Sequence, residues 1–277
     1  MGDSVYLLGF DVGGTAVKVA LFDLAGRLAG RYEQAIPVSA PQPGWAEIEP
    51  SDWWAALQRG ARAALEQAGA SPDQVAGIGL SNMIGAVTPL DARGQALRPA
   101  IAYFDTRSAE EADWMLTQAP EIPRLTANRV MAGNTSLTSI LWLRRHEPEV
   151  YARTATFAQT NTLLYAWLTR ERRVDWTNAN FMGLFDYRAM DWSAELAAKL
   201  DFDCDLLAPI YAPHSVAPLT AEAAEALGLR AGAPVALGGL DGAMSSLGVG
   251  AIQPGDAYDV SGTSEMIAVC LPEPVPS

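Results

Sequence analysis

The sequence predicts an α/β fold whose mixed sheet begins as an antiparallel meander and continues as β-α units. Three apolar, strand-like segments lie close together, at residues 5–10, 16–22 and 28–36. Turns at Gly13-Gly14 and Ala25-Gly26 separate them, as in consecutive hairpins. A helix and a buried strand follow. This β-β-β-α-β order differs from a doubly wound sheet, in which helices alternate with strands from the start.

The remaining elements are predicted from apolar periodicity and from helix start and stop signals. Ser51 is expected to cap the first helix and Gly69 to end it, because glycine accepts the left-handed conformation that often follows a helix. Asn134 is expected to cap a later amphipathic helix. Further strands are expected at residues 75–80, 85–90, 99–104 and 234–239, further helices at 108–118, 162–169, 193–200, 220–227 and 241–248, and irregular structure at 174–181.

This element order is that of the ribonuclease-H-like half of actin-type phosphotransferases, so the predicted fold class is actin-like. The stretch Phe10-Asp11-Val12-Gly13-Gly14-Thr15 has a counterpart near the C-terminus, Tyr258-Asp259-Val260-Ser261-Gly262-Thr263. Two like hairpins far apart in sequence indicate two related domains that face each other across a cleft. We therefore expect the first hairpin of a second, similar domain near the end of the chain.

Composition argues against several classes of function. The chain has 277 residues, of which 49% are hydrophobic, and a formal net charge of −13. A protein that binds nucleic-acid backbones needs a basic surface, and the one dense basic run, at 170–173, is interpreted as a solvated turn. Two cysteines and two histidines, well separated, indicate no disulfide framework, zinc site or histidine-based triad.

No targeting or membrane segment is predicted. The N-terminus lacks the basic and apolar regions of a signal peptide, and Tyr6 breaks the myristoylation pattern. The sequence has no run of about 18 apolar residues that could span a membrane. We therefore expect a cytoplasmic protein without nucleic-acid or membrane partners.

The Asp-Val-Gly-Gly-Thr stretch at residues 11–15 has the chemistry of a phosphate-binding turn. Glycine N–H groups bind anions, and Asp11 is expected to hold a hydrated Mg²⁺ ion, which takes one or two carboxylates plus phosphate oxygens. Thr15 and Lys18 follow on the return strand. A plain tight turn with a solvated aspartate is the alternative, but the repeated stretch at 258–263 favours a phosphate clamp with one loop from each lobe.

Asp241 is the candidate general base. It follows an apolar strand and opens a helix of small residues, and a helix N-terminus favours an ionised carboxylate. Such a group can accept a proton from a substrate hydroxyl during phosphoryl transfer. The alternative is a structural helix cap. The sequence contains neither a Walker loop nor a Gly-x-Gly-x-x-Gly turn after a strand, which argues against P-loop NTPases and dinucleotide-binding enzymes.

In their order and spacing, several short motifs resemble those of the FGGY family of carbohydrate kinases over about residues 7–268. They are Gly9 to Thr15, Pro43 to Glu47, Gly79 to Gly85, Leu97 to Ile101 followed by Asp105 and Arg107, Asp175-x-Thr177-Asn178-Ala179, Gly238 to Ala243, and Gly262 to Ser264. The resemblance implies transfer of the γ-phosphoryl group of ATP to a sugar or polyol hydroxyl, with Mg²⁺.

The resemblance also assigns roles to individual residues. It implies that Asp241 accepts the proton and that Asp11 is the metal and phosphate aspartate. The residues expected to contact the sugar are Asn82, Met83, Tyr103, Asp105 and Asp241. The residues expected at the phosphates of ATP are Gly13, Gly14, Thr15 and Lys18 in the first hairpin and Gly262, Thr263 and Ser264 in the second.

Within the family, the chain looks most like the xylulose and L-xylulose kinases, so a pentulose such as xylulose is the expected substrate. Two departures leave another ketose or a polyol open. Ile84 stands where xylulose kinases usually carry histidine, and Gly242 stands where many members carry an amide side chain. Each departure removes a hydrogen-bonding partner for a sugar hydroxyl.

The resemblance implies a sugar-binding domain over residues 1–252 and the start of a nucleotide-binding domain over 253–277. Relatives continue well beyond this length, so we expect a fragment with little kinase activity of its own, and a homodimer is a possible assembly. The hexose kinases and repressors of the ROK class share the opening motif. Their cysteine-rich zinc loop and basic DNA-binding head do not match this chain, whereas a non-catalytic sugar-binding or regulatory module remains open.

Overall fold

The fold consists of two sheets, several short ladders and the helices that cover them. The computed structural model describes residues 5–261, 265–273 and 275 of the chain. The strands are β1 (Tyr6–Val12), β2 (Ala16–Asp23), β3 (Leu28–Ala35), β4 (Glu47–Ile48), β5 (Val75–Asn82), β6 (Val87–Leu90), β7 (Ala100–Ile101), β8 (Thr156–Gln159), β9 (Val174–Asp175), β10 (Phe185–Asp186), β11 (Asp191–Trp192), β12 (Ile210–Tyr211), β13 (Val216–Pro218), β14 (Pro234–Ala236), β15 (Gly239–Leu240), β16 (Ala257–Ser261) and β17 (Glu265–Val269). The helices are α1 (Pro50–Ala68), α2 (Ala109–Gln118), α3 (Ile122–Thr126), α4 (Ser136–His146), α5 (Pro148–Arg153), α6 (Thr160–Thr169), α7 (Trp176–Asn180), α8 (Ala194–Lys199), α9 (Ala221–Leu227) and α10 (Asp241–Gly248).

The central mixed sheet has the strand order β13-β14-β5-β1-β2-β3, and β15 also pairs with β5. Strands β1, β2 and β3 form the predicted antiparallel meander, in which Val12 lies opposite Val17 at the first turn. Strand β5 runs parallel to β1, β14 and β15. These directions confirm the predicted α/β class, with a sheet that begins as a meander and continues through β-α units.

Helices α1 and α6 pack against this sheet, and α9 packs against both of these helices. Alternate residues of β1 and β2 point into the core below them, including Leu8, Phe10 and Val19, and each of these is at most 1% exposed. Their neighbours Leu7 and Phe22 remain exposed, because successive side chains of a strand point to opposite faces. Burial of each large apolar side chain contributes about 1.5–3 kcal/mol to folding.

A second sheet, with the order β4-β7-β6-β8, supports a second buried cluster. Val87 and Ile101 of this sheet contact apolar side chains of α2 and α4, among them Met115, Leu137 and Leu141. The second sheet and helices α2 and α4 therefore share an apolar core separate from that of the central sheet.

Two of the predicted helix caps are wrong. Helix α1 begins at Pro50, so Glu49 and not Ser51 takes the capping position, with an extended backbone and no side-chain bond. Proline favours the first helical turn because its φ angle is already helical and it has no N–H group to satisfy. Thr135, not Asn134, precedes α4. Gly69 ends α1 in the left-handed conformation, at φ 60°, as predicted.

Three other segments also differ from expectation. Residues 174–181 are not irregular, because they form β9 and α7, and the Asp175 side chain caps this helix by accepting hydrogen bonds from the N–H groups of Thr177 and Asn178. The strand expected at 234–239 is interrupted before β15. Gly238 adopts a φ of +67° there, which breaks the extended backbone. The strand expected at 99–104 shortens to β7.

Strands β16 and β17 form the predicted second hairpin, with Ser261 opposite Glu265. This hairpin is a separate two-stranded sheet. The hydroxyl of Tyr258 donates a hydrogen bond of 3.0 Å to the carbonyl of Gly242, which connects the hairpin to α10. The domain boundary between residues 252 and 253 stays a prediction.

Replacement of Gly30 by alanine is expected to destabilise the fold. A Cβ atom at this position of β3 would lie 2.2 Å from the carbonyl oxygen of Ala64 in α1, and a backbone atom in a helix cannot move away alone. We expect the free energy of unfolding to fall by about 1–3 kcal/mol, which is typical of overpacking a core. Gly79→Ala in β5 is the matched control, because a Cβ atom there would meet nothing within 4 Å. Chemical denaturation compares them, and equal stability of the two variants would contradict this account of the packing.

Candidate active site

The two predicted catalytic aspartates lie at adjacent strand ends. Ser81 of β5 is paired with Asp11 of β1 on one side and with Gly239 of β15 on the other. These three strands are parallel, so the residues that follow them emerge at one edge of the sheet, where ligands bind in open α/β sheets. Asp241 follows β15 directly, as the first residue of α10. The sheet therefore brings together two aspartates from opposite ends of the sequence.

Asp11 is held by a hydroxyl and an ammonium group. Ser81 Oγ donates a hydrogen bond of 2.8 Å to Asp11 Oδ1, and Lys18 Nζ lies 3.6 Å from Oδ2. The Asp11 side chain is 33% exposed and the Lys18 side chain is 58% exposed, so both charges are accessible to a ligand. One accessible carboxylate fits Mg²⁺, which takes its other ligands from phosphate and water. Among the described residues, no group of three or more His, Cys, Asp or Glu side chains is placed to bind a metal ion.

The predicted phosphate turn packs against the predicted sugar-binding side chains. The turn is closed by a hydrogen bond of 2.9 Å from Gly13 N–H to the carbonyl of Ala16. A Cβ atom at Gly14 would lie 3.2 Å from Phe104 and 3.3 Å from Tyr103. Glycine therefore lets the turn approach two aromatic rings more closely than a larger residue could without a shift of the rings. The Thr15 side chain is exposed.

Asp241 has the environment of a base with a raised pKa. Its carboxylate accepts a hydrogen bond of 2.7 Å from the N–H of Gly242. Although solvent reaches the side chain, surrounding protein removes much of its hydration, and this is the first cause that raises the pKa of Asp241 above 3.8. The negative charge of Asp11 raises this pKa further, whereas the Gly242 N–H and the charge of Lys18 lower it. We expected the N-terminus of the helix to stabilise the ionised form of Asp241. The N–H of Gly242 does so, but the loss of hydration and the charge of Asp11 outweigh it.

The alternative structural role for Asp241 is wrong. The capping position of α10 belongs to Leu240, at φ −58° and ψ 144°, and Asp241 is already inside the helix. A carboxylate inside the first turn is favoured by the helix dipole but does not replace the cap. Asp241 is therefore free to interact with a ligand at the sheet edge.

A buried polar cluster next to Asp241 was not assigned a role from the sequence. Asp175 is fully buried, and burial raises the pKa of its carboxyl, while hydrogen bonds from Thr177 and Asn178 lower it. Thr177 Oγ1 lies 2.5 Å from Asp175 Oδ1 and accepts a hydrogen bond of 2.9 Å from the N–H of Leu240. The sequence contains the motif Asp175-x-Thr177-Asn178-Ala179, but it does not indicate that Thr177 contacts Leu240, the residue before Asp241.

Asn82 belongs to the same cluster. Its side chain is fully buried and donates hydrogen bonds of 2.9 Å to Asn178 Oδ1 and 2.7 Å to the carbonyl of Met83. Met83 is 2% exposed and lies beside the Gly14 position. The structure thus places both residues at the end of β5, near the phosphate turn. Direct contact of either residue with a sugar stays a prediction.

Asp105 lies in a second buried polar cluster, made of charged side chains around Trp45. Arg107 donates hydrogen bonds to both carboxylate oxygens of Asp105, at 2.8–3.0 Å, and Asp105 also accepts one of 2.5 Å from the N–H of Ala46. The guanidinium of Arg107 stacks 3.6 Å over the ring of Trp45. Glu47 bridges Arg107 to Arg98, and Arg98 also pairs with Glu147. Asp105 therefore forms a buried ion pair with Arg107, and its contact with a sugar stays a prediction.

Two parts of the predicted site need separate mention. Gly262, Thr263 and Ser264 lie outside the described residues. Two surface cavities, of about 520 and 380 Å³, are lined by residues around Tyr151 and around Trp54 respectively, and neither is lined by a predicted site residue. In the described part of the chain, no helix is both long and apolar enough to cross a lipid bilayer.

Comparison with known proteins gives the family. The model described as "FGGY family of carbohydrate kinases, N-terminal domain" matches residues 6–248. The xylulose kinase of Escherichia coli (strain K12) is 31% identical over 258 residues, which cover 93% of this chain and 52% of that protein. The autoinducer-2 kinase of Yersinia enterocolitica is 27% identical over 276 residues, which cover 98% of this chain and 52% of that protein. The chain spans about half the length of the curated relatives it matches.

Solved structures agree with these sequence matches. The xylulose kinase from Rhodospirillum rubrum superimposes with a TM-score of 0.88 at 30% identity, over 95% of this chain and 54% of that one. A gluconate kinase from Lactobacillus acidophilus gives the same TM-score at 24% identity, over 95% and 54%, and supports the fold alone. These matches confirm the predicted actin-like fold class. The match over 6–248 confirms the predicted family, and the chain belongs to the FGGY family of carbohydrate kinases, in the region of its N-terminal domain.

Proposed function

We propose that this chain is the sugar-binding half of an ATP-dependent kinase that phosphorylates a hydroxyl of a ketose, and that the ketose is a pentulose such as xylulose. The observation that carries the proposal is the placement of Asp11 and Asp241 at the adjacent ends of β1 and β15, on either side of Ser81. Phosphoryl transfer needs a site for the metal and phosphates next to a base for the hydroxyl proton. The xylulose kinases among the relatives support the substrate class.

The proposed reaction assigns one task to each aspartate. The substrate hydroxyl oxygen forms a bond to the γ-phosphorus, the bond between that phosphorus and the bridging oxygen breaks, and ADP leaves. The hydroxyl proton passes to the carboxylate of Asp241. Mg²⁺, when bound at Asp11, supplies positive charge to the phosphate oxygens. Lys18, at 3.6 Å from Asp11, adds a second positive charge at the same position.

The sugar is proposed to lie between the phosphate turn and the end of β5. Tyr103 is partly exposed there and touches the Gly14 position, and Ile84 is partly exposed next to Met83. Ile84 cannot donate a hydrogen bond, so a hydroxyl that faces it loses a partner. This difference from xylulose kinases keeps other ketoses and polyols among the substrates to test.

Sugar binding without catalysis is the second candidate function, because the chain spans about half the length of its relatives. Calorimetry of the 277-residue chain with a panel of pentuloses, hexuloses, glycerol and erythritol measures binding directly. A coupled ADP-release assay of the full-length protein with the same panel measures catalysis. We expect ketose-dependent ADP release from the full-length protein and little from the chain alone. Sugar binding with no ADP release from either would support the second function and overturn the first.

Asp241→Asn in the full-length protein is expected to lower kcat by about 10²–10⁴-fold, because an amide cannot accept the hydroxyl proton. The control is Asp113→Asn, which removes an exposed carboxylate from α2 at a distance from the sheet edge. ADP release under saturating sugar and ATP measures both variants. A loss smaller than tenfold in Asp241→Asn would rule out its role as the general base.

The charges around Asp241 predict two opposite pKa changes in the 277-residue chain. Asp11→Asn removes a negative charge that raises the pKa of Asp241, so this pKa is expected to fall. Lys18→Met removes a positive charge that lowers it, so the pKa is expected to rise. Carboxyl NMR titration at low ionic strength measures both changes, since salt screens exposed charges. Shifts in the same direction would show that Asp11 and Lys18 do not act on Asp241 electrostatically.

A further inference from the structure

We propose that Thr177 and Asp175 are positioning residues for Asp241, and that they act through the backbone N–H of Leu240. This inference rests on the proposed function, because it takes Asp241 as the base. Neither residue was predicted to contact substrate, and Asp175 is fully buried. Both belong to the junction between β9 and α7, and the residue that they fix, Leu240, immediately precedes Asp241.

Two consecutive hydrogen bonds link Leu240 to Thr177 and Thr177 to Asp175. The N–H of Leu240 donates to Thr177 Oγ1 at 2.9 Å, and the Thr177 hydroxyl donates its own proton to Asp175 Oδ1 at 2.5 Å. A hydroxyl has one proton to donate, so accepting from Leu240 leaves that proton for Asp175. The carboxylate therefore fixes the orientation of the hydroxyl, and the hydroxyl fixes the N–H at the end of β15.

Asp175 must be an acceptor at both of its oxygens. Oδ1 accepts from the Thr177 hydroxyl and from the N–H groups of Thr177 and Asn178, and Oδ2 accepts from Asn178 Nδ2 at 2.5 Å. An asparagine at position 175 would direct its NH₂ group at one of these donors. Because the site is fully buried, water cannot replace the lost acceptor. The pattern requires a carboxylate rather than any polar side chain of that shape.

Packing makes the contact at β15 tight. A Cβ atom at Gly239 would lie 2.7 Å from Thr177 Oγ1 and 3.1 Å from Asp175 Oδ1. Gly239 is also paired with Ser81, the residue that donates to Asp11. The end of β15 is thus held between β5 and the Thr177 hydroxyl, so a shift of that hydroxyl is transmitted to the start of α10.

The second branch of the cluster serves the other side of the site. Asn178 exchanges side-chain hydrogen bonds with Asn82, at 2.9 and 3.3 Å, and its carbonyl accepts one of 3.0 Å from Gln159 Nε2. This branch leads to the end of β5, not to Asp241. Loss of the Thr177 hydroxyl should therefore affect the base more than the sugar-facing segment. It should lower kcat and leave KM for the sugar nearly unchanged, a pattern that general destabilisation would not produce.

The test compares Thr177→Val with Thr177→Ser in the full-length protein. Valine keeps the shape and removes the hydroxyl, whereas serine keeps the hydroxyl and loses a methyl group. For Thr177→Val we expect kcat to fall by about ten- to a hundredfold, the scale of loss when a reacting group is misplaced by about 1 Å, with KM for the sugar within about twofold. Thr177→Ser is expected to recover most of kcat. Asp175→Asn is expected to lower kcat as well and, because Asp175 also accepts from Asn178, to change KM for the sugar more than Thr177→Val does.

A second measurement separates this inference from the proposed function. In the 277-residue chain, hydrogen exchange of the Leu240 amide is expected to accelerate at least about tenfold in Thr177→Val and to stay near the original rate in Thr177→Ser. An unchanged kcat in Thr177→Val, or a loss that serine does not recover, would overturn the positioning role. If the unaltered full-length protein releases no ADP with any sugar, the proposed function fails, and the catalytic part of this inference fails with it. If exchange of the Leu240 amide is unchanged in Thr177→Val, only the hydrogen-bond argument is contradicted.

Discussion

Strand β5 sets the geometry on which the rest of the site depends, because it is paired in a fixed register with both β1 and β15. Ser81 is paired with Asp11 in β1 and with Gly239 in β15. A slip of one residue in either pairing would turn alternate side chains to the opposite face of the sheet. The same slip would move Asp11 away from the start of α10. The alternating burial of Leu8, Phe10 and Val12 prevents such a slip, so the core of the domain also aligns its candidate site.

Two buried polar clusters flank this edge of the sheet, one around Asp175 and one around Asp105 and Arg107. Burial of charge is costly, and well-packed apolar residues in such places often give a more stable protein. The two polar clusters contribute precise geometry, because hydrogen bonds restrict the direction of a contact more than apolar contacts do. The Asp175 cluster holds the backbone next to Asp241, and the Asp105 cluster holds the loop that carries Trp45 against the segment that carries Tyr103.

Local signals in the sequence predicted the elements that local chemistry determines. The meander, the left-handed end of α1 at Gly69 and the start of α10 at Asp241 all follow from short patterns. The Asp175 cluster could not be predicted in this way, because its partners Asn82 and Leu240 are far from it in sequence and meet only through the sheet. The net direction of the pKa shift of Asp241 also required the structure, since dehydration depends on packing. The Ser51 cap failed because proline competed for the same turn.

The contact between Gly14 and the rings of Tyr103 and Phe104 has a consequence for how this site can change over time. A Cβ atom at Gly14 would lie 3.2 Å from Phe104 and 3.3 Å from Tyr103, so a larger residue at position 14 requires these two rings to move by a few tenths of an ångström. A substitution at a residue outside this contact does not require the rings to move. Ile84 is such a residue, since it is partly exposed and forms no part of that contact. The predicted phosphate turn and these two rings are therefore expected to change together, whereas Ile84 can change alone.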